Sequence, residues 1–303
     1  MQKNSFSLPE GFSSRPATME DAGIAVDLIN DFSHYHAGVK PATIHNLSNE
    51  WQSPGYHLEE DVCLVFNQAG SLVGYADCWD VIDPPVQPWA SLFVHPEFEG
   101  QGIGAYLLAW LEERAQKSVS RVENHLRVSL HTSFFSTAKS MKALVEQKDY
   151  QLIRHTFRMQ IDMESPPPPP VWPDGITLKP FNPDTDMEMV YRADDDAFSD
   201  HFGYVEPADH QSAMEDFAHY MTGKDSYDPS LWFLAMDGDQ LAGFSVCNRW
   251  ARDDRECGYV SSLGVLRPWR RRGLGLGLLR HSFREFYQRG YRKVTLGVDA
   301  GNL

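Results

Sequence analysis

The sequence predicts two tandem α/β domains of similar plan, and three observations support this fold class. The 303 residues are about twice the usual length of one domain, and 42% are apolar, enough for two cores. Prolines dominate residues 166–173 and exclude helix or central strand there, so we expect an extended linker between domains at 1–165 and 174–303. Finally, strand and helix patterns recur in the same order on both sides of this linker.

The repeat is clearest in two blocks that keep their order and nearly their spacing. Residues 72–78 and 241–247 both read Leu-x-Gly-aromatic-x-x-Cys, at an offset of 241 − 72 = 169. A turn and an apolar run precede each block, which predicts two β-hairpins. The Gly-x-Gly at 102–104 recurs at 273–275, at an offset of 273 − 102 = 171.

Apolar spacing places the elements of the first half. Ile24, Leu28 and Phe32 lie on one face of a helix whose N-cap is Thr18, whereas alternating residues predict strands. In chain order we expect a strand at 12–16, this helix, a helix within 43–52, a hairpin over 62–79, a strand at 89–94, a helix at 105–116, a strand at 126–130, a helix at 136–147 and two strands within 150–163.

The second half repeats this order by the same criteria. We expect a strand at 176–179, helices at 185–196 and 209–220, a hairpin over 231–250, a strand at 259–266, a helix at 274–288 and a strand at 293–298. Gly290 suits the end of the last helix. The helix and two strands that end the first half have no counterpart before residue 303, so the second domain is expected to be truncated. The sequence leaves open a longer natural protein, a disordered or missing ending, or a segment from another chain.

The loop before the last helix has a composition suited to anions. Arg270, Arg271 and Arg272 lie together in a chain of net charge −15, and Gly273 and Gly275 follow. Glycines let a backbone approach a ligand, and the free N–H groups and dipole of a helix start attract negative charge. We therefore expect a phosphorylated cofactor here.

Several known patterns compete for this loop. A dinucleotide site requires Gly-x-Gly-x-x-Gly near the start of a βαβ unit, and a P-loop requires Gly-Lys-Ser/Thr; neither is present. A basic loop capping an ordinary helix remains an alternative. Residues 270–275 match Arg-x-x-Gly-x-Gly in full and resemble the pyrophosphate loop of the GCN5-related N-acetyltransferase (GNAT) family.

The resemblance extends to both halves, because the predicted order β-αα-βββ-α-β-α-ββ is the GNAT order. It implies a mixed, mostly antiparallel sheet with helices on both faces in each domain, and acetyl-CoA as co-substrate. A tandem chain with one weakened half resembles the mycothiol synthases. The cofactor-binding residues that it implies are Leu263, Gly264, Val265, Arg270, Arg271, Arg272, Gly273, Leu274, Gly275 and Asn302.

The first half departs from the family pattern at two positions. Glu99 replaces the first arginine of the loop and should repel a pyrophosphate, while Val145 replaces the tyrosine that acts as an acid in the family. We interpret this half as a degenerate domain with a structural or substrate-shaping role. A weaker second cofactor site remains open at Val94, Gln101, Gly102, Ile103 and Gly104.

Three residues are candidates for the catalytic base. Tyr259 occupies the position of a strand glutamate that many family members use, and Glu256 precedes it by three residues. His201, with Asp200 beside it as a further alternative, lies in a segment, 197–203, that resembles the acceptor-side loop of the mycothiol synthases. Each is also readable as an ordinary surface group.

Composition narrows the remaining function classes. The net charge of −15 argues against nucleic acid, and neither a signal peptide nor an apolar run of about 18 residues is present. The four cysteines lack metal spacing, so we expect no metal, buried thiols and a cytoplasmic protein.

The predicted function is transfer of acetyl from acetyl-CoA to a primary amine of a small molecule. A non-catalytic acyl-CoA-binding or sensing protein is the main alternative, and a partner-binding scaffold is the third. A homodimer stays open, and neither the acceptor nor the acyl chain length follows from the sequence, because acceptor pockets are built from variable loops.

Overall fold

The structure, a computed structural model, describes residues 7–301 and forms two compact units. The first unit extends to Leu152 and includes Pro207–Ala213, and the second comprises Ile153–Glu206 and the chain from Met214 onward. Each unit is built around its own sheet.

The first unit has a five-stranded sheet in the order β1-β2-β3-β4-β5. Neighbouring strands are antiparallel except β4 and β5, which are parallel. The elements are β1 (Phe12–Pro16), α1 (Ala22–Ala37), α2 (Ile44–Trp51), α3 (Leu58–Asp61), β2 (Val62–Asn67), β3 (Leu72–Trp79), β4 (Trp89–Val94), α4 (Ile103–Val119), β5 (His131–Thr132) and α5 (Lys139–Glu146).

Both faces of this sheet are buried because its strands are apolar at successive positions. On one face Leu28 and Ile29 of α1 pack with Tyr75, and on the other Leu107 and Leu111 of α4 pack in a separate cluster. Helices therefore cover the sheet on both sides.

The second unit has a six-stranded sheet in the order β6-β11-β10-β9-β8-β7. Only β10 and β11 are parallel. The elements are β6 (Thr156–Asp162), β7 (Ile176–Pro180), α6 (Met187–Phe198), the part of α7 (His210–Thr222) from Met214 onward, β8 (Trp232–Asp237), β9 (Gln240–Asn248), β10 (Cys257–Val265), α8 (Leu274–Gln288) and β11 (Lys293–Asp299).

Helices cover this sheet on both faces as well. Val190 and Ala197 of α6 belong to one buried cluster, and Leu278 and Phe286 of α8 belong to the other. The predicted fold class, two tandem α/β domains with mixed sheets, is confirmed.

Two strand predictions in the first half are wrong. Residues 150–163 contain one strand, β6, which pairs along its whole length with β11 and so joins the second sheet. The expected strand at 126–130 is absent from the described chain, which instead has two paired residues at His131–Thr132. Residues 153–165 consequently belong to the second compact unit, although the sequence analysis placed them before the linker.

The proline-rich segment lies against α8. Arg284 donates a hydrogen bond to the carbonyl of Pro167 at 2.8 Å. A Cβ added to Gly277 would lie 3.1 Å from the ring of Trp172, so this third glycine of the loop region serves close packing. Residues 166–173 contain neither helix nor strand, and they are held by contacts with the second unit.

The four cysteines are buried free thiols, as expected. Burial raises the pKa of Cys63 to about 11 and that of Cys78 to about 12, so neither carries a reactive thiolate at neutral pH.

Candidate active site

The glycine loop of the second unit leads from β10 into the start of α8. Gly273 is the N-cap of the helix with φ +84°, and no atom lies within 4 Å of the position a Cβ would take there. Leu274 is 1% exposed and anchors the first turn in the core. The first turn of a helix has N–H groups without intrahelical partners, so this open helix start is suited to an anion.

Arg270 does not point its guanidinium into free space. Its three nitrogens bond the carbonyl of Val265 at 3.0 Å, the carboxylate of Asp200 at 2.7 Å and the carbonyl of Ala197 at 2.8 Å. This side chain therefore ties the loop to the end of α6. The predicted partner of the cofactor thus has a positioning role, which sequence spacing could not reveal.

The other two loop arginines are exposed. Within residues 7–301, neither Arg271 nor Arg272 has a hydrogen bond or ion pair. Arg271 adopts a left-handed backbone with φ +63°, unusual for a side chain of this size. These two cations remain available to neutralise a bound anion.

Beside the loop, β10 and β11 part from one another. Their parallel pairing covers only Cys257–Val260 against Lys293–Leu296, although β10 continues to Val265 and β11 to Asp299. A register shift in the pairing with β9 falls between Val260 and Ser262, which marks a bulge where the strands separate. The last part of β10 thus has an open edge.

Two residues of β10 direct backbone groups toward this edge. Leu266, the residue after the end of β10, donates its N–H to the carbonyl of Ala242 in β9, so alternate residues before it also face β9. The N–H and carbonyl groups of Leu263 and Val265 consequently point away from β9. Leu263 and Val265 are the backbone positions that the sequence analysis assigned to the cofactor.

Gly264 lies between them for reasons of packing. A Cβ at this position would lie 2.5 Å from two ring atoms of Phe244 and 3.0 Å from the Cβ of Ala197. The glycine allows α6 to cross closely over β10 next to the open edge. Gly275, in contrast, has only ordinary contacts at 3.5 Å or more.

The three predicted base candidates are not brought together. Tyr259 is on β10, and burial raises the pKa of its phenol, which disfavours a role as base. Glu256 is exposed just before the strand. His201 is exposed after α6 with its ring against Phe198. Among the described residues, no hydrogen bond joins any two of the three.

One carboxylate near the open edge, that of Asp194, was not predicted from the sequence. Asp194 on α6 accepts a hydrogen bond from the hydroxyl of Ser262 on β10 at 2.6 Å. Its pKa is raised, mainly by burial. The spacing of apolar residues could have indicated that Asp194 is inward-facing, because residues 190, 193 and 197 form the buried stripe of α6 and position 194 falls within that stripe.

The glycine loop that precedes α4 in the first unit differs from the one that precedes α8. Glu99 pairs with His36 near the end of α1 at 2.7 Å, where the second loop pairs Arg270 with Asp200. Gly102 is the N-cap of α4 with φ +89°, but a Cβ there would lie 3.0 Å from Pro9. The chain therefore leaves less open space at this loop than at Gly273.

The other residues of the possible second site are mostly engaged in packing. Ile103 is fully buried and Val94 is 6% exposed, while the amide of Gln101 donates to the carbonyl of Glu97 at 3.2 Å. Asn302 of the second unit lies outside the described residues.

The described part of the chain offers neither a cluster of metal ligands nor a helix suited to span a membrane. Within residues 7–301, no group of three or more His, Cys, Asp or Glu side chains is arranged to hold a metal ion. No helix in the same range combines the length and apolarity that crossing a bilayer requires.

Comparison with known proteins identifies the family. The model described as "Acetyltransferase (GNAT) family" matches residues 26–133 and 187–303, one match in each half. The mycothiol acetyltransferase of Streptomyces bingchenggensis is 31% identical over 239 residues, covering 78% of this chain and 71% of the relative. That of Catenulispora acidiphila is 29% identical over 238 residues, with the same coverage of both chains.

Solved structures agree with this relationship. A GCN5-related N-acetyltransferase from Sphaerobacter thermophilus has a TM-score of 0.78 and 30% identity, covering 98% of this chain and 89% of that one. A tandem GNAT protein from the clavulanic acid biosynthesis pathway has a TM-score of 0.67 and 16% identity, covering 96% and 91%, and supports the fold alone.

Proposed function

The chain belongs to the acetyltransferase (GNAT) family and is an acyltransferase, and on that premise we propose that it transfers acetyl from acetyl-CoA to a primary amine of a small molecule. The observation that carries the proposal is the open helix start at Gly273 directly beside the open edge of β10. Together they offer one site for an anion and another for a polarised carbonyl.

The residues of the loop fit a diphosphate. The N–H groups of the first turn of α8 are open to approach at Gly273, and Arg271 and Arg272 lie unpaired within the described chain beside them. Arg270 contributes by fixing the loop to the end of α6 through its three hydrogen bonds. A cationic loop in a chain of net charge −15 also concentrates an anionic ligand at this point.

The edge of β10 fits the reacting group. Acetyl-CoA supplies a thioester, whose carbonyl oxygen gains negative charge as an amine adds to the carbon. The N–H groups of Leu263 and Val265 face the open edge, so either can donate to that oxygen and stabilise the charge. Because these donors are fixed by the pairing of β10 with β9, little reorganisation is needed during the reaction.

We assign the site to the second unit rather than the first. Glu99 places a carboxylate where the second loop has an arginine, and Pro9 lies close to Gly102. In the second loop the corresponding space beside Gly273 is clear. These differences support a structural or substrate-shaping role for the first unit.

The acceptor class rests on the relatives and on the carboxylate of Asp194 next to the open edge of β10. The curated relatives are named mycothiol acetyltransferases, which supports a small molecule as acceptor. That the acceptor group is an amine is our own proposal. It is supported by the open edge of β10 and the nearby carboxylate, which suit acetyl transfer from a thioester to an amine.

The proposal is tested with a matched pair of glycine variants. Gly273→Asp and Gly102→Asp replace N-cap glycines of nearly equal φ, +84° and +89°, so they introduce similar backbone strain. Only the first adds a carboxylate to the proposed diphosphate site.

Acetyl-CoA affinity is measured by titration calorimetry, and turnover is followed as free thiol with D-glucosamine, spermidine, tyramine and L-alanine methyl ester. We expect Gly273→Asp to lose binding and Gly102→Asp to retain it. Loss only in Gly102→Asp would move the site to the first unit. Tight binding by the wild type without CoA release from any amine would favour a non-catalytic acyl-CoA sensor.

A further inference from the structure

Asp194 is a carboxylate on the buried stripe of a helix that packs directly on β10. It lies among Val190, Ala193 and Ala197, which are all nearly fully buried. One of its oxygens, Oδ1, accepts from the hydroxyl of Ser262 at 2.6 Å. An ionised carboxylate in such a stripe costs stability unless its charge is matched, so its presence there calls for a role.

The position of this carboxylate relative to the open edge is fixed by the crossing of α6 over β10. Ala197 and Gly264 mark the closest approach, with 3.0 Å from the alanine to the position of a glycine Cβ. Asp194 is one turn earlier on α6 and contacts Ser262. The next residue, Leu263, carries the backbone N–H that faces the open edge. The carboxylate of Asp194 on α6 is thus bound to the residue of β10 that directly precedes the one with this N–H.

The carboxylate of Asp194 can accept more hydrogen bonds than it receives in the structure. An ionised carboxylate has about four acceptor positions, and Asp194 receives one hydrogen bond, that of Ser262. Among the described residues no donor contacts Oδ2. The ionisable neighbours that act on Asp194 are Asp195 and His201, and within residues 7–301 no arginine or lysine forms an ion pair with it. The carboxylate of Asp194 is therefore suited to bind the cationic group of a ligand.

We infer that Asp194 binds the ammonium group of the acceptor and takes the proton that this group must lose before it attacks. The inference rests on the function proposed above and specifies the acceptor as a cationic amine. Burial, which raises the pKa of this carboxyl group, also makes it a stronger proton acceptor than an exposed aspartate.

The step balances as follows. The ammonium transfers one proton to Asp194 and the free amine attacks the acetyl carbon, so a C–N bond forms. The C–S bond breaks with its electron pair leaving on sulfur, and the second proton lost by nitrogen goes to the departing thiolate. The products are the amide, free CoA and a protonated Asp194, which returns its proton to solvent.

The decisive variant is Asp194→Asn, which keeps an oxygen that can accept from Ser262 but cannot take a proton. Asp195→Asn is the matched control, because it removes a neighbouring, partly buried carboxylate from the same helix. Asp194→Glu restores a carboxylate on a longer side chain. For each we measure the acetyl-CoA dissociation constant, the melting temperature, and kcat and KM for CoA release with the four amines named above.

We expect Asp194→Asn to lower kcat by about 100-fold or more, the usual contribution of a positioned proton acceptor. Acetyl-CoA affinity and the melting temperature should stay at wild-type values, and Asp194→Glu should recover part of the rate. Asp195→Asn should turn over like the wild type.

Wild-type kcat in Asp194→Asn would overturn this inference and leave the proposed function intact. An equal loss of kcat, stability and acetyl-CoA affinity in Asp194→Asn and Asp194→Glu would overturn it in favour of a purely structural anchor. A wild-type protein that binds acetyl-CoA but accepts none of the amines would overturn the proposed function, and this inference with it.

Discussion

Replacing Gly264 with alanine should destabilise the second unit by about 2 kcal/mol. The added methyl would lie 2.5 Å from two ring atoms of Phe244 and 3.0 Å from Ala197, where ordinary contacts begin near 3.4 Å. Phe244 is fully buried and cannot swing aside. Overpacking of this kind costs about 1–3 kcal/mol, and we take the upper end because both sides are closed. The lower backbone entropy of alanine offsets about 0.5–1 kcal/mol of that cost.

The assay is urea unfolding followed by far-UV circular dichroism and tryptophan fluorescence, so that the two units can be separated if they unfold apart. Gly275→Ala is the control, because its new methyl would meet Val265 at an ordinary 3.5 Å in the first turn of α8. It should be neutral or slightly stabilising. An unchanged midpoint and slope for Gly264→Ala would refute the argument that Phe244 and α6 fix the course of β10 at the open edge.

Two further predictions concern ion pairs. Arg270→Ala should weaken acetyl-CoA binding, because the loop loses its hydrogen bonds to Asp200 and Ala197, and Arg270→Glu should abolish binding. Glu99→Ala, in the first unit, should leave acetyl-CoA binding nearly unchanged. Calorimetry with acetyl-CoA checks all three variants, and the opposite ranking of their affinities would contradict the assignment of the site to the second unit. In the first unit, the hydrogen bonds from Arg15 lower the pKa of Asp21 to about 2, so this pair stabilises the fold above the unfolded-state pKa of 3.8, and the stabilisation is lost as pH falls toward 2. Asp21→Asn should therefore cost about 1 kcal/mol at pH 7, because the exposed side of Arg15 lets solvent screen the pair. The difference in unfolding free energy from the wild type should narrow in urea melts between pH 4 and pH 2, and a difference that stays constant with pH would show that the ion pair does not contribute.

Features set by local sequence were predicted closely. The strand at 89–94 and the helix at 274–288 have the predicted bounds, because a short apolar strand and a strongly amphipathic helix are specified by their own residues. The glycine that begins α8 was also found, since a left-handed N-cap next to open space requires a residue without a side chain.

Features set by distant partners were not predicted. The residues of β6 read as a strand, but only the pairing with β11, more than a hundred residues away, decides which sheet it joins. The same limit applies to Arg270, whose ion-pair partner Asp200 is 70 residues earlier in the chain, and to Pro9, which approaches Gly102 across the first unit. The pattern of apolar side chains specifies which face of a strand or helix is buried, but it does not specify which distant element packs against that face.

The candidate site shows the same division. The proposed anion-binding loop follows from the residues themselves, whereas the proposed proton acceptor depends on α6 crossing β10 at Gly264, which no local pattern encodes. Asp194 was visible only as a polar residue within an apolar stripe, a feature that marks many buried structural carboxylates as well.

The most direct test of the central claim is a crystal structure of this chain with acetyl-CoA. We predict one cofactor per chain, with its diphosphate at the backbone N–H groups following Gly273 and its thioester carbonyl within hydrogen-bond distance of the open edge of β10. Density for the diphosphate at Gly102, or at neither loop in a crystal grown with saturating acetyl-CoA, would contradict the account.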